Sequence, residues 1–212
     1  MEEDRAKERE ERIAELERKL ASSRPVGVKP WVAAVCIFGA FALAWLDRSD
    51  IAYFFSSREP VTLGMEGDYR VTEIAPNCYV QLHGAPTSRA IYAEEHGQES
   101  VIVGFRDSPF LVKRHALPGE ERFPGKPPPP PSQTPFGVRG RLMTRAMDDR
   151  FGKAFDDFKS WGEVHPKDGQ LFLIVEGEKP GTDAGLGVLL AVLVAFVALN
   201  AYFLVRALRV RR

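Results

Sequence analysis

The chain has 212 residues, and 29 Lys and Arg balance 29 Asp and Glu, so its formal net charge is zero. That balance excludes a nucleic-acid binder working through a globally basic surface, and an apolar fraction of 44% with 10% aromatics excludes wholesale disorder. With only Cys36 and Cys78, the chain has no disulfide scaffold and no paired Cys/His spacing of a structural zinc site.

Residues 1–29 read as a charged cytoplasmic helix followed by a short stiff link. Glu3/Lys7, Glu8/Arg12 and Glu15/Lys19 are i,i+4 pairs with the acid N-terminal, the favourable order. Ile13, Leu16 and Leu20 make an apolar seam of barely one heptad, so a solvated helix is expected rather than a dimerisation zipper. Residues 30–46, PWVAAVCIFGAFALAWL, carry no charge. As a helix they reach about 25 Å, against a hydrocarbon core of ~30 Å. Trp31 and Trp45 stand at the two ends, where an aromatic belt belongs, and Lys29 can snorkel to extend the reach. Ala42-Leu43-Ala44 has the form of a signal-peptide cleavage site. The long charged segment before it and bulky Trp45 after it favour an uncleaved anchor.

Residues 47–184 form the folded domain. Alternation of apolar residues and turn signals predicts strands at 69–74, 78–83, 90–94, 100–106, 110–115, 136–143 and 171–175. Turns are expected at Pro76-Asn77, His96-Gly97-Gln98 and Asp107-Ser108-Pro109. Phe151, Phe155 and Phe158 recur at helical spacing within 148–161, predicting one helix capped by Asp148, ended by Gly162 and packed on the sheet. The expected fold is a mainly β, barrel-like or strongly curved sheet with one packed helix. Residues 118–135 hold eight of the sixteen prolines, which makes this segment a loop. Its run at 127–131 reads as a stiff connection, the alternative being a recognition ligand.

Residues 185–205 are the second expected span, within an uncharged stretch of 22 residues, and 206–212 are a basic tail. Arg18, Lys19, Arg24 and Lys29 precede the first span, and Arg206, Arg209, Arg211 and Arg212 follow the second. The inner flanks hold only Arg48, Arg58, Lys167 and Lys179. The positive-inside rule therefore places both termini in the cytoplasm of a plasma (inner) membrane and 47–184 outside it. The zero total resolves into 0 for residues 1–30, −4 for 47–184 and +4 for the tail.

The polar cluster with most promise is Arg139, Arg141 and Arg145, alternating along a strand, followed by Arg150 in the helix. Guanidinium groups suit carboxylate, phosphate or headgroup recognition. The alternative is a solvated strand face paired with acids such as Glu73 or Glu176. In the spans, Cys36, Ala40 and Ala44, and Gly187, Ala191 and Ala195, repeat every four residues, which allows helices to approach closely, and Asn200 adds a polar group. His83, His96, His115 and His165 lack ligand spacing for a metal, and no cofactor is expected. Asp148, Asp149, Asp156 and Asp157 read as helix-capping and solvated carboxylates, and Cys78 as a small buried hydrophobe. Gly181, Gly185 and Gly187 lead into a span and so do not form a dinucleotide loop.

The sequence of helix, β-rich outer domain and helix, with Gly140-Arg141-Leu142 near the Pro-rich loop, resembles the haem–copper oxidase assembly proteins in architecture. The missing catalytic motifs, the small-residue membrane ridges and the Arg-bearing strand fit an accessory or assembly subunit whose outer β domain binds a protein partner. The expected partners are the lipid bilayer and a membrane protein or a second copy, with no nucleic acid. A transmembrane sensor with an external ligand-binding domain, or a membrane-tethered enzyme, are the alternatives.

Overall fold

The computed structural model describes residues 12–15, 17, 30–70, 74–95, 98–121 and 127–210. Residues 12–15 and 17 are helical, in keeping with the charged N-terminal helix, and Ile13 is exposed. Leu16, Leu20, Glu73, His96, Arg211 and Arg212 lie outside the described residues, as does the link before residue 30. The chain divides into two compact units, one of Met1–Trp45 with Leu189–Arg212 and the other of Leu46–Val188.

The larger unit is built on a mixed sheet of eight strands. They are β1 Val61–Met65, β2 Asp68–Tyr69, β3 Tyr79–Gly84, β4 Pro86–Glu95, β5 Gln98–Phe105, β6 Phe110–His115, β7 Phe136–Thr144 and β8 Phe172–Glu176. Their spatial order is β2-β1-β3-β7-β8-β6-β5-β4. The strands predicted at 90–94, 100–106 and 110–115 appear as a meander of β4, β5 and β6, paired antiparallel in succession. Two pairs are parallel, β1 with β3 and β6 with β8. Leu63, Val80, Val103, Val112, Val138 and Ile174, from six strands, meet in one core cluster, so the sheet is strongly rolled.

Alternation explains why the middle strands look uniformly apolar. Val101, Val103, Val112 and Ile174 face the inner core, while Ile102, Leu111 and Leu173 face a second cluster. That second cluster is the contact with the expected helix. Asp148 accepts from the Arg150 N–H at 3.0 Å, a turn of 3₁₀ helix follows at Asp149–Phe151, and α-helix continues over Gly152–Trp161. It stops at Gly162, whose φ of +70° suits the left-handed cap. Phe151, Phe155 and Phe158 are buried there, as their spacing requires.

Two expectations for this domain are corrected. Of the predicted strand over 69–74, Tyr69 ends β2, which pairs with the preceding β1 through a tight hairpin, Arg70 and Ile74 are in no strand, and 71–73 lie outside the described residues. Gly64 carries φ +99°, and a Cβ there would lie 2.2 Å from the Asp68 carbonyl oxygen, so the hairpin closes only on glycine. The domain also holds a further helix, Arg48–Phe54, ahead of the first predicted element. Numbered in chain order from residue 30, the α-helices are α1 Pro30–Leu46, α2 Arg48–Phe54, α3 Gly152–Trp161 and α4 Ala184–Val210.

Helix α1 has the bounds of the first expected span, and at 17 residues it is short. Within α4, Ala184–Arg206 is long and apolar enough to cross a membrane. In the smaller unit each helix covers one stripe: Ala33, Cys36, Ala40 and Ala44 on α1, and Leu193, Val197, Asn200 and Leu204 on α4.

Candidate functional site

Arg141 lies on β7, on the face opposite Val138 and Leu142, which point into the core. A bare guanidinium there would be solvated. Instead α2 covers it, leaving Arg141 only 7% exposed. Its Nε donates to Asn77 Oδ1 at 2.9 Å, and its terminal nitrogen lies 2.7 Å from Asp50 Oδ1. The guanidinium carbon stands 4.6 Å from the centre of the Tyr53 ring, a cation–π contact. Glu178, in the segment after β8, places Oε2 3.9 Å from the same group. Two further bonds close the network: Tyr53 Oη donates to the Glu178 carbonyl at 2.8 Å, and Asn77 Nδ2 donates to the Ser49 carbonyl at 2.8 Å. One side chain of the sheet thereby joins α2, the β2–β3 connection and the β8–α4 connection.

Beside this node opens a cleft of about 830 Å³, bounded on one side by Phe54 and by Leu186 in the first turn of α4. Its walls carry Lys113, Arg141, Arg150 and Lys179 against Asp50, Asp148, Glu176, Glu178 and Asp183. Burial pushes the Glu178 carboxyl up, with Arg141 opposing; burial also pushes Glu176 up. A surface of interleaved sign complements another mixed-charge protein surface better than it does a lone anion.

The four candidate arginines do not converge. Arg141 and Arg150 line this cleft, with Arg150 forked onto Asp148 at 2.6–3.0 Å. Arg145 lines a second cleft of about 630 Å³ and pairs with Asp156. Arg139 is exposed on β7, and Gln81 on β3 stands opposite it in register. The acids that meet Arg141 are Asp50 and Glu178, and Glu176 stands opposite Gly140 in register. Asp148 is held below its ordinary value, chiefly by the Arg150 hydrogen bonds, as befits a capping carboxylate.

The span candidates divide similarly. Cys36, Ala40 and Ala44 lie on the covered stripe of α1. On α4, Gly187 faces Phe54, Ala191 and Ala195 are exposed, and Asn200 donates its Nδ2 hydrogen to the Phe196 carbonyl of its own helix at 2.8 Å. His83, His115 and His165 are exposed and scattered, and among the described residues no group of three or more His, Cys, Asp or Glu is placed to hold a metal. Burial raises the Cys78 thiol, and its Sγ donates to the Ala75 carbonyl.

A fully buried ion pair was not foreseen. Glu120, in the Pro-rich loop, receives both terminal nitrogens of Arg114 at 2.6 and 2.7 Å and the backbone N–H groups of Leu117 and Ser132 at 3.0 and 2.6 Å. Burial pushes its carboxyl up, but these hydrogen bonds outweigh it and hold it at about 2. The sequence signal was a Pro-Gly-Glu triplet opening the loop, with an arginine in the preceding strand. Comparison with protein-family models, characterised proteins and solved structures finds no match.

Proposed function

We propose that this chain is a two-span membrane protein whose extracytoplasmic sheet domain docks a protein partner, as an accessory or assembly subunit. Both termini lie in the cytoplasm and residues 47–184 outside, in line with the distribution of basic residues. The observation that carries the reading is the Arg141 node. By holding α2 and the Glu178 segment on one side chain, it brings together the places where the domain begins and ends. A domain tied in this way presents its charged cleft beside the start of the apolar helix, where a membrane neighbour can reach it.

Affinity capture of the full chain from mild detergent, with identification of co-purifying proteins, tests the reading. A stoichiometric membrane protein is expected, and its retention should fall when Lys179 and Asp183 are both replaced by Asn. A chain that purifies alone from native membranes would overturn it. The size of the cleft favours a second reading, a sensor of an external ligand. That reading needs residues 1–22 to self-associate, and crosslinking that returns a monomeric N-terminal segment would remove it.

A further inference from the structure

Residues 127–131 are five consecutive prolines. Each ring fixes its own φ, and each following ring confines the preceding ψ to the extended range. The run is therefore a polyproline II rod with three residues per turn. Its seating is specific. Tyr92 Oη donates to the Pro129 carbonyl at 2.5 Å, Gln133 Nε2 donates to the Pro131 and Thr87 carbonyls at 3.1 Å, and Ser132 N–H is held by Glu120. Pro131 is buried and Pro129 half-buried, whereas Pro127, Pro128 and Pro130 are exposed. At three residues per turn Pro127 and Pro130 share one ridge, about 9 Å apart.

We propose that the Pro127/Pro130 ridge is a preformed docking surface for an aromatic-lined groove on a partner protein. Proline rings spaced i,i+3 fit slots between Tyr and Trp side chains, and the rod's outward carbonyls accept hydrogen bonds from indole N–H and phenol O–H groups. The anchors at Tyr92, Gln133 and Glu120 order the rod in advance, so docking avoids most of the entropic cost of ordering a free peptide. The connection from β6 to β7 spans residues 116–135. Its described residues, 116–121 and 127–135, hold no helix or strand, and long connections of that kind in compact domains commonly serve binding. The inference rests on partner binding by the outer domain and names the surface and the chemistry of that partner.

The test titrates the full chain in detergent micelles with a labelled WW domain that reads uninterrupted proline runs. Shifts in its groove Trp and Tyr resonances are expected. Binding should weaken at least tenfold in P127A/P130A and change less than threefold in P128A, with thermal melting confirming that both variants fold. Absence of shifts with the unaltered chain, or equal affinity for P127A/P130A, would overturn the ridge. In a second arm, the WW domain is expected to compete with the partner captured from mild detergent. A partner that is captured but not displaced overturns the ridge as its docking surface and leaves partner binding standing. If no partner is captured at all, partner binding fails, and the ridge as its docking surface fails with it. The titration then reports only the accessibility of the rod.

Discussion

Arg141 puts one guanidinium in contact with residues that lie 92 positions earlier and 37 positions later in the chain, Ser49 and Glu178. Asp50 and Glu178 are 55% and 44% exposed, so water screens their share of the interaction. The part-buried hydrogen bond to Asn77 and the cation–π contact with buried Tyr53 matter more. Arg141→Met should therefore cost about 1–3 kcal/mol and, more tellingly, speed amide exchange in α2 while leaving β5 and β6 protected. Equal protection of α2 in the variant would show that Arg141 does not hold it. Glu120 gives a prediction in pH. Its carboxyl sits at about 2, below the ordinary 4.5, so its stabilisation is complete above pH 4.5 and is lost as pH falls towards 2. That contribution is on the order of 3 kcal/mol, and melting curves at pH 7, 4.5 and 3 should show the loss in the unaltered chain and a much flatter profile in Glu120→Gln. The alternation of arginines on β7 could be read from sequence. What covers Arg141 could not, because Asp50, Tyr53 and Glu178 carry no pattern linking them to residue 141.

At the scale of elements, one close backbone approach and one buried ring hold the sheet. A Cβ on Gly140 would lie 2.0 Å from the Val175 carbonyl oxygen, a backbone atom that cannot move aside without breaking the β7–β8 ladder. Gly140→Ala should lower stability by at least about 2 kcal/mol, seen as a fall in melting temperature. Phe158, fully buried between α3 and the sheet, should cost about 3–5 kcal/mol when replaced by Ala. These elements also show where periodicity suffices. The meander and the Phe stripe of α3 are local patterns with long apolar faces, and both follow from spacing alone. β1 escaped because its five residues include a left-handed glycine, and α2 because Arg-Ser-Asp-Ile-Ala-Tyr-Phe is too short to display a helical stripe. The parallel pairings escaped for a different reason: nothing in a strand's own composition states which neighbour it will find.

Across the whole molecule, the proposed topology makes Ser160 external and Arg211 cytoplasmic. In a chain with Cys36→Ala and Cys78→Ala, a membrane-impermeant maleimide should label Ser160→Cys on intact cells and Arg211→Cys only after lysis. Labelling of both, or of Arg211→Cys alone, would reverse or abolish the two-span arrangement. The position of β8 bears on how such a chain is made. It is the last of these strands to be synthesised, yet it lies in the middle of the sheet, and among the described residues it is the strand that bridges β2-β1-β3-β7 and β6-β5-β4. Until residue 176 has been made, the growing chain holds two half-sheets with unsealed margins, the kind of surface that adheres to other chains. The apolar helix begins only eight residues later, at Ala184. In a chain inserted as proposed, the domain becomes able to close only at nearly the moment its second anchor reaches the membrane, so the two half-sheets stay open for almost the whole of its synthesis.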